Sequence, residues 1–333
     1  MKKKFFLLVL GVLLAVSIPS SAQQDPKEEA KEILKAVVKI RVGVPDYARS
    51  AKTLGTEREG SGVVIDAKGH ILTIGYLITE AETIEVFGPD GKAVSAEAIA
   101  YDFRTGFGIL KTNQPIEVRP MELGRSSEVR EGDPILVAAS GGEEGAIGAR
   151  VISRKEFAGY WEYLLEDAIF TAPPHPNFGG AALIDRTGKL VGIGSLFTQI
   201  SLAGLGVIPG NLFVPIDYLK PILIDLITKG QTGEPPRPWL GVNVEENHGR
   251  VFVSRVTPES PAEKAGLKIG DIILTVNQKE VTGLADFYRK IWGLGNAGVE
   301  IPLGLLQGIK IQEIKVKSAD RTQYYRLKPQ KRI

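Results

Sequence analysis

The stretch Thr171–Leu196 reads TAPPHPNFGGAALIDRTGKLVGIGSL, and it decides how the rest of the chain is interpreted. The Gly179-Gly180 pair indicates a tight turn. The apolar residues on both sides of Gly188 then predict a β-hairpin. Because the segment PPHPNFGGAALIDR contains no serine, threonine or cysteine, this loop carries no hydroxyl or thiol that could act as a nucleophile.

This stretch resembles the nucleophile loop of the trypsin-like serine proteases of the HtrA (Deg) family, which reads close to NPGNSGGPL, followed by a strand, a glycine turn and VIGIN. An alignment without a gap begins at His175 and puts Gly179 on the reactive serine. A second register keeps Gly179-Gly180 on the Gly pair and puts Phe178 on the serine, but it needs one extra residue before Gly188. Neither register provides a hydroxyl group.

An earlier stretch resembles the part of the same family that carries the general base. Residues Gly60–Asp66 (GSGVVID), a turn at Ala67–Gly69 and the apolar run after His70 predict a hairpin. It is similar to the family run GSGVIIDxxGYILTNxHVV, in which the histidine is the base, and Tyr76 stands at that position. A phenol with a reference pKa of about 10 cannot do the work of an imidazole near neutral pH. His70 lies roughly 20 Å away along an extended strand, and we expect it to be an ordinary strand-end residue.

The segment Asp102–Lys111, DFRTGFGILK, resembles the family run DPRTDLAVLK, in which the second aspartate orients the base. Gly106 stands at that position, and we expect Asp102 to serve in a turn or a salt bridge. Tyr76, Gly106 and Gly179 therefore occupy the three positions of a catalytic triad, and none can perform the corresponding step. The resemblance thus implies a protease fold whose triad is degenerate, with no catalytic residues.

The remaining candidates do not form a recognisable nucleophile–base pair. Ser140 and Ser195 lie outside the nucleophile loop, and His175 is expected to pack that loop. The oxyanion loop is also changed, because Asn177 replaces a glycine and Pro176 has no N–H. The three histidines, at positions 70, 175 and 248, are widely separated, and no HExxH, P-loop or dinucleotide motif occurs. We therefore predict neither a metal site nor a cofactor.

The N-terminus predicts export. Residues Met1–Ala22 combine three lysines, a short apolar run and small residues before a cleavage point after Ala22, which is typical of a signal peptide. The alternative is a membrane anchor that stays attached. Removal of this segment leaves 38 basic and 39 acidic residues, a formal net charge of −1, so bulk charge does not favour nucleic acid as a partner. The absence of cysteine excludes disulfides and thiol catalysis, and the expected location is the bacterial periplasm.

The remaining segments of the first domain predict two packed antiparallel β-barrels and a terminal helix. A helix starting at Pro26 leads into a first strand. The stretch Asn211–Asp217 resembles the family's strand into its last helix, which runs to about Lys229 and stops at Gly230. The proline-rich segment 231–238, QTGEPPRP, predicts a linker. The expected domains are a signal peptide (1–22), an inactive trypsin-like domain (23–230) and, after the linker, a PDZ domain (239–330).

The PDZ resemblance rests on three motifs. They are WLGV at Trp239–Val242, SPAEKAGL at Ser260–Leu267 and GDIILTVN at Gly270–Asn277. In PDZ domains the first loop captures a peptide's terminal carboxylate, and the next strand offers an edge for an added peptide strand. Phe287 and Ile291 belong to a predicted second helix, Leu284–Leu294, and are candidates for groove or core. The predicted peptide-binding residues are Trp239, Leu240, Gly241, Val242, Val244, Phe287 and Ile291. The basic end, 321–332, is expected to be solvated charge on a last strand.

The resemblance implies a mainly β protein, with a trypsin-like double six-stranded antiparallel β-barrel followed by an α+β PDZ domain. The favoured function is an exported, non-catalytic HtrA-like protein that binds peptide C-termini or unfolded segments as an adaptor, holdase or regulator in protein quality control. One alternative is an active serine endopeptidase with an unconventional site, and another is a structural subunit of a mixed protease oligomer. An active protease paralogue is a possible partner, family members are often trimers, and the PDZ domain could bind in trans or dock on its own protease domain.

Overall fold

A computed structural model describes residues 26–202, 204 and 206–326. The predicted signal peptide lies outside the described residues. The first six strands form a closed antiparallel barrel in the order β1-β2-β3-β6-β5-β4. They are β1 Val37–Gly43, β2 Glu57–Val64, β3 His70–Ile74, β4 Thr83–Phe87, β5 Ala93–Tyr101 and β6 Phe107–Thr112. The helices of this half are α1 Pro26–Leu34, α2 Ala51–Leu54 and α3 Gly75–Ile78.

The next six strands close a second barrel in the order β10-β11-β12-β9-β8-β7. They are β7 Pro134–Ala138, β8 Ala146–Gly159, β9 Tyr163–Ala172, β10 Ala182–Ile184, β11 Leu190–Leu202 and β12 Gly206–Pro215. The long strands β8 and β9 extend past the barrel as a hairpin, whose turn Tyr160–Glu162 we call the hairpin tip. The predicted double six-stranded barrel is confirmed.

The terminal helix of this domain is shorter than expected. A 3-10 turn at Ile216–Tyr218 precedes α4, which covers Leu223–Lys229. Pro221 lies between the two, and it has no N–H for an intrahelical bond. The predicted stop is correct, since Gly230 adopts φ 73° and donates its N–H to Leu226 O.

The third unit is a sheet in the order β13-β14-β15-β17-β18, with β16 paired to β15. Its elements are β13 Val242–Asn247, β14 Arg250–Val256, α5 Pro261–Lys264, β15 Ile272–Val276, β16 Lys279–Glu280, α6 Leu284–Trp292, β17 Glu300–Gln307, β18 Lys310–Lys317 and α7 Arg321–Tyr324. The short helix α5 forms as its sequence predicts, because Pro261 begins it and the Ser260 hydroxyl accepts the N–H of Glu263. β13 is an edge strand of the sheet.

The predicted solvated last strand is wrong for its first residues. Residues 321–324 form the helix α7, and the Arg321 guanidinium lies over the rings of Phe103 and Tyr325 at 4.9 and 5.8 Å. Its Nη1 also donates to Trp161 O at 3.0 Å. An arginine half-buried among aromatic rings of both domains connects them instead of facing water; residues 327–332 of the predicted strand lie outside the described part.

The linker also makes contacts with both domains. Glu234 forms an ion pair with Arg104, and Ala297 N donates to Pro236 O at 2.9 Å. Arg237 lies over the Trp292 ring at 4.5 Å. In the described part of the chain, none of the helices has the length and apolar character that crossing a bilayer requires.

Candidate functional site

Tyr76 and Gly179, which the sequence alignment matches to the base and nucleophile of the family, lie close together. Tyr76 lies in α3, directly after β3, and Gly179 lies in the loop before β10. A Cβ atom built on Gly179 would lie 2.9 Å from the Tyr76 hydroxyl oxygen. The structure therefore brings together the two positions that the sequence alignment matched, but the side chain that fills the space is a phenol.

The Tyr76 hydroxyl is already bonded. It donates to the main-chain oxygen of Ser195 at 3.0 Å, across the cleft. Burial raises the pKa of Tyr76 above its usual value, because the phenolate would lose its hydration. The group is therefore neutral near pH 7 and acts as a hydrogen-bond donor that joins the two barrels.

The third matching position, Gly106, is held by backbone conformation. Its φ is +87°, and its N–H and carbonyl bond to Asp102 O and Gly75 N at 2.8 and 2.7 Å. An L-residue with a side chain is strained at this φ. The carboxylate of Asp102 accepts the N–H groups of Arg104 and Thr105, which confirms its expected turn role.

His175 braces the loop, in agreement with its expected packing role. It is only 4% exposed, and its Nε2 lies 3.1 Å from Gly145 O while its Nδ1 accepts the Asn177 N–H at 3.0 Å. These contacts require a neutral ring with the proton on Nε2. The Asn177 N–H, at the position of an oxyanion donor, is therefore directed into the loop.

The other histidines also lie away from the cleft. His70 Nδ1 is 2.5 Å from Asp66 Oδ2 at the start of β3, as expected for a strand-end residue. His248 lies in the turn between β13 and β14 with φ 50°. Neither of them, nor His175, lines the cleft.

The cleft has a volume of about 620 Å³ and extends from the triad positions to the third unit. Nine of its lining residues are aromatic. They are Tyr76, Tyr101, Phe103, Tyr160, Trp161, Tyr163, Phe178, Trp239 and Tyr325. A surface of this composition suits apolar or aromatic side chains better than charged ones.

The second part of the site is the loop before β13. Its N–H groups point to one carboxylate, that of Glu162 in the hairpin tip. Leu240 N, Gly241 N and Val242 N donate to this carboxylate at 2.9, 2.7 and 3.1 Å. Glu162 is 5% exposed. Burial raises its pKa, whereas the three N–H donors and the positive charge of Arg321 act in the opposite direction.

The hairpin tip makes further contacts along the same groove. Val244 N donates to Tyr160 O at 2.9 Å. On the opposite wall, the Tyr288 hydroxyl of α6 donates to Gly159 O at 2.6 Å and accepts the Glu162 N–H at 3.1 Å. The tip therefore lies between β13 and α6.

The other predicted peptide-binding residues do not belong to the set of N–H donors that binds the Glu162 carboxylate. Val244, Phe287 and Ile291 are fully buried in the core of the third unit, while Trp239 packs on the rings of Tyr324 and Tyr325. Their roles in peptide binding stay predictions.

Sequence reasoning missed Glu162, Tyr288 and Arg321. Glu162 follows two aromatic residues in GYWEY, an unusual composition for a hairpin turn, and this was the one available signal. Within the described residues, no group of three or more histidine, aspartate or glutamate side chains is arranged to hold a metal ion.

Comparisons with known proteins agree with this architecture. A family model described as a trypsin-like peptidase domain matches residues 60–193, and a PDZ domain model matches residues 238–318. The periplasmic pH-dependent serine endoprotease DegQ of Escherichia coli is 29% identical over 326 residues, which cover 92% of this chain and 68% of DegQ. The periplasmic serine endoprotease DegP of Salmonella typhimurium is 27% identical over 264 residues, covering 74% of this chain and 54% of DegP. The chain spans only about half the length of several curated relatives that it matches. For two of them, the matched region covers 52% and 57% of the relative's length.

Solved structures show the same fold. The HtrA-type protease AlgW with a decapeptide is 23% identical and has a TM-score of 0.52, covering 88% of this chain and 98% of AlgW. A serine-to-alanine variant of AlgW with a tripeptide has a TM-score of 0.54 at 22% identity, covering 88% of this chain and 97% of that chain. The chain therefore contains a segment that matches trypsin-like peptidase domains, followed by a segment that matches PDZ domains, and its fold is similar to that of HtrA-type proteases.

Proposed function

We propose that this protein is a non-catalytic HtrA-type protein of the bacterial periplasm that binds peptide C-termini or unfolded segments of envelope proteins. In this proposal, residues 1–22 are a signal peptide, 23–230 an inactive protease domain, 231–238 a linker and 239–330 the PDZ domain. The adaptor, holdase and regulator roles all follow from binding without cleavage.

The proposal that the protein is not catalytic rests mainly on the position of one side chain. The Tyr76 phenol lies against Gly179 and donates to Ser195 O at 3.0 Å. The space in which a base would approach a serine is therefore occupied by a neutral group already bonded to the main chain. Since Gly106 has φ +87°, the acid position also disfavours an aspartate.

The PDZ domain supports peptide binding. Consecutive N–H groups at Leu240–Val242 converge on a carboxylate, and β13 is an edge strand to which a peptide strand can be added. A partner would place its terminal carboxylate on this loop and its main chain beside β13. Trp239, Phe287 and Ile291 are proposed to support the walls of the groove.

A second candidate function is serine endopeptidase activity through an unconventional site. The relatives favour it, because DegQ and DegP are serine endoproteases by name. The cleft is lined by five serine and threonine hydroxyls, at Ser50, Thr53, Thr79, Ser195 and Thr257. Ser195 is the candidate among them, because its main-chain oxygen accepts the Tyr76 hydroxyl.

A time course with unfolded casein separates the two candidates. Purified protein lacking residues 1–22 is expected to leave casein intact, while an active HtrA-type protease run in parallel produces fragments visible by gel and mass spectrometry. Fragments that persist through purification and disappear when one hydroxyl residue of the cleft is replaced, as in Ser195→Ala, would establish the endopeptidase instead.

A further inference from the structure

The groove of the PDZ domain is filled by a segment of the peptidase domain. We propose that the hairpin tip is an internal ligand of this groove, and that a partner's C-terminal segment binds only after the tip has left. This inference rests on the proposed peptide-binding function and adds the regulation of that site.

The first support is the carboxylate. Three consecutive N–H groups of the loop, from Leu240 to Val242, bond to the two oxygens of Glu162 at 2.7–3.1 Å. A peptide's terminal carboxylate requires the same convergent donors. Because a main-chain N–H points in one direction, these donors cannot serve two carboxylates at once, so occupation by Glu162 excludes the partner.

The second support is the spacing of the contacts along β13. Tyr160 accepts through its main-chain oxygen and Glu162 through its side-chain carboxylate; the two residues are two positions apart, as are their donors Val244 and Val242. Two residues is the period of a strand that is added to a sheet edge. The tip therefore imitates an added peptide strand that ends in a carboxylate, with the glutamate side chain in place of the chain end.

The third support comes from the opposite wall. Tyr288 is fully buried, and its hydroxyl bonds to Gly159 O, directly before the tip, and to Glu162 N, at the end of the tip. Arg289 of the same helix forms ion pairs with Glu156 and Glu166 on the two strands of the hairpin. The contacts lie on both walls and on the carboxylate loop, as they would for a bound ligand.

The backbone of the tip is also specialised. Glu162 has φ 56°, a conformation that non-glycine residues rarely adopt. Such strain persists where surrounding contacts fix the residue. Here those contacts are the carboxylate loop and Tyr288, so the tip conformation depends on its place in the groove.

The test compares the wild-type chain without residues 1–22 with Glu162→Ala and Glu162→Gln. The probe is a fluorescent decapeptide pool that is random except for a free C-terminal Val, Leu, Ile or Phe, and the same pool with an amidated C-terminus measures carboxylate dependence. Glu144→Gln removes an exposed carboxylate from another turn of the same barrel and is the matched control. Peptide retained by immobilised protein is quantified by fluorescence.

We expect both Glu162 variants to retain at least tenfold more free-carboxylate pool than the wild type and Glu144→Gln, with no gain for the amidated pool. Hydrogen exchange without peptide should show at least tenfold faster exchange of the 240–242 amides in Glu162→Ala. Equal, carboxylate-dependent retention by wild type and variants would overturn the internal ligand while leaving the proposed function in place. No carboxylate-dependent retention by any of the proteins would overturn the proposed function and this inference with it.

Discussion

The cleft of the peptidase domain and the groove of the PDZ domain both contact the hairpin tip, and they are filled in different ways. In the cleft, the Tyr76 phenol, bonded to Ser195 O, lies against Gly179, and these two residues stand at the predicted base and nucleophile positions. In the groove, the three N–H donors are present and are satisfied by Glu162. A side chain that the sequence does not contain cannot be supplied by a conformational change, whereas a satisfied donor becomes available when its partner leaves. The comparison supports the proposal that this chain binds peptides under the control of the hairpin tip and does not cleave them.

The largest expected effect is on the groove. Gly241 has φ +81°, and a Cβ atom there would lie 2.3 Å from Ser260 Cβ. Gly241→Ala should destabilise the PDZ domain by about 3 kcal/mol, because conformational strain and a steric clash act together. Calorimetry of the full chain measures this loss.

Gly266→Ala is the matched control. Gly266 has a similar φ of +86°, but a Cβ atom there meets nothing within 4 Å. The expected cost is about 1 kcal/mol from conformation alone. Equal destabilisation by the two substitutions would show that the loop at Gly241 can accommodate a side chain. The N–H donors of that loop would then not be held in place by close packing against Ser260.

The next prediction compares a tyrosine of the groove, Tyr288, with a tyrosine of the cleft, Tyr163. Tyr288→Phe removes a hydroxyl that bonds to Gly159 O and Glu162 N, and should cost about 2 kcal/mol in unfolding free energy. It should also speed amide exchange at residues 240–244. Tyr163→Phe removes a bond of 2.5 Å to Thr105 O on the cleft side, and should cost about 1 kcal/mol without changing exchange in the groove. If Tyr163→Phe also speeds amide exchange at residues 240–244, the cleft and the groove open together.

A smaller effect is expected at Tyr76, the predicted base position. Tyr76→Phe removes the bond to Ser195 O and should lower stability by about 1 kcal/mol. Binding of the free-carboxylate peptide pool should not change. Thermal unfolding and the peptide-retention assay check the two parts; a loss of peptide binding would contradict the independence of the cleft from the groove.

The smallest effect concerns pH and the loop that carries Gly179. Burial lowers the pKa of His175 below its ordinary value of 6.5, so the unfolded chain binds a proton more readily than the folded one. Stability should therefore fall as pH decreases from 6.5 towards the folded pKa, by at most about 1.4 kcal/mol per pH unit. His175→Gln should flatten this part of a stability–pH curve measured in urea. An unchanged slope would assign the titration to another group.

The sequence predicted those parts of the molecule that depend on local patterns. The hairpin from Gly60, the capped helix after Ser260 and the stop at Gly230 follow from turn and cap chemistry, and the facing positions Tyr76 and Gly179 followed from aligned motifs. Glu162 could not be predicted, because its partners lie 78–80 residues further along the chain and its role depends on how two domains pack. Arg321 was misjudged for the same reason: a basic segment is usually solvated, and only the aromatic rings of the other domain make a half-buried position favourable.

The occupied groove has a consequence for measured affinities. If a peptide binds only to molecules whose hairpin tip is released, the apparent dissociation constant equals the intrinsic constant divided by the released fraction. Each tenfold decrease in that fraction weakens apparent binding tenfold without altering any contact with the peptide. The observed rate of association would then reach a plateau at high peptide concentration. The plateau value equals the rate at which the tip opens, and it therefore reports the lifetime of the Glu162 contacts directly.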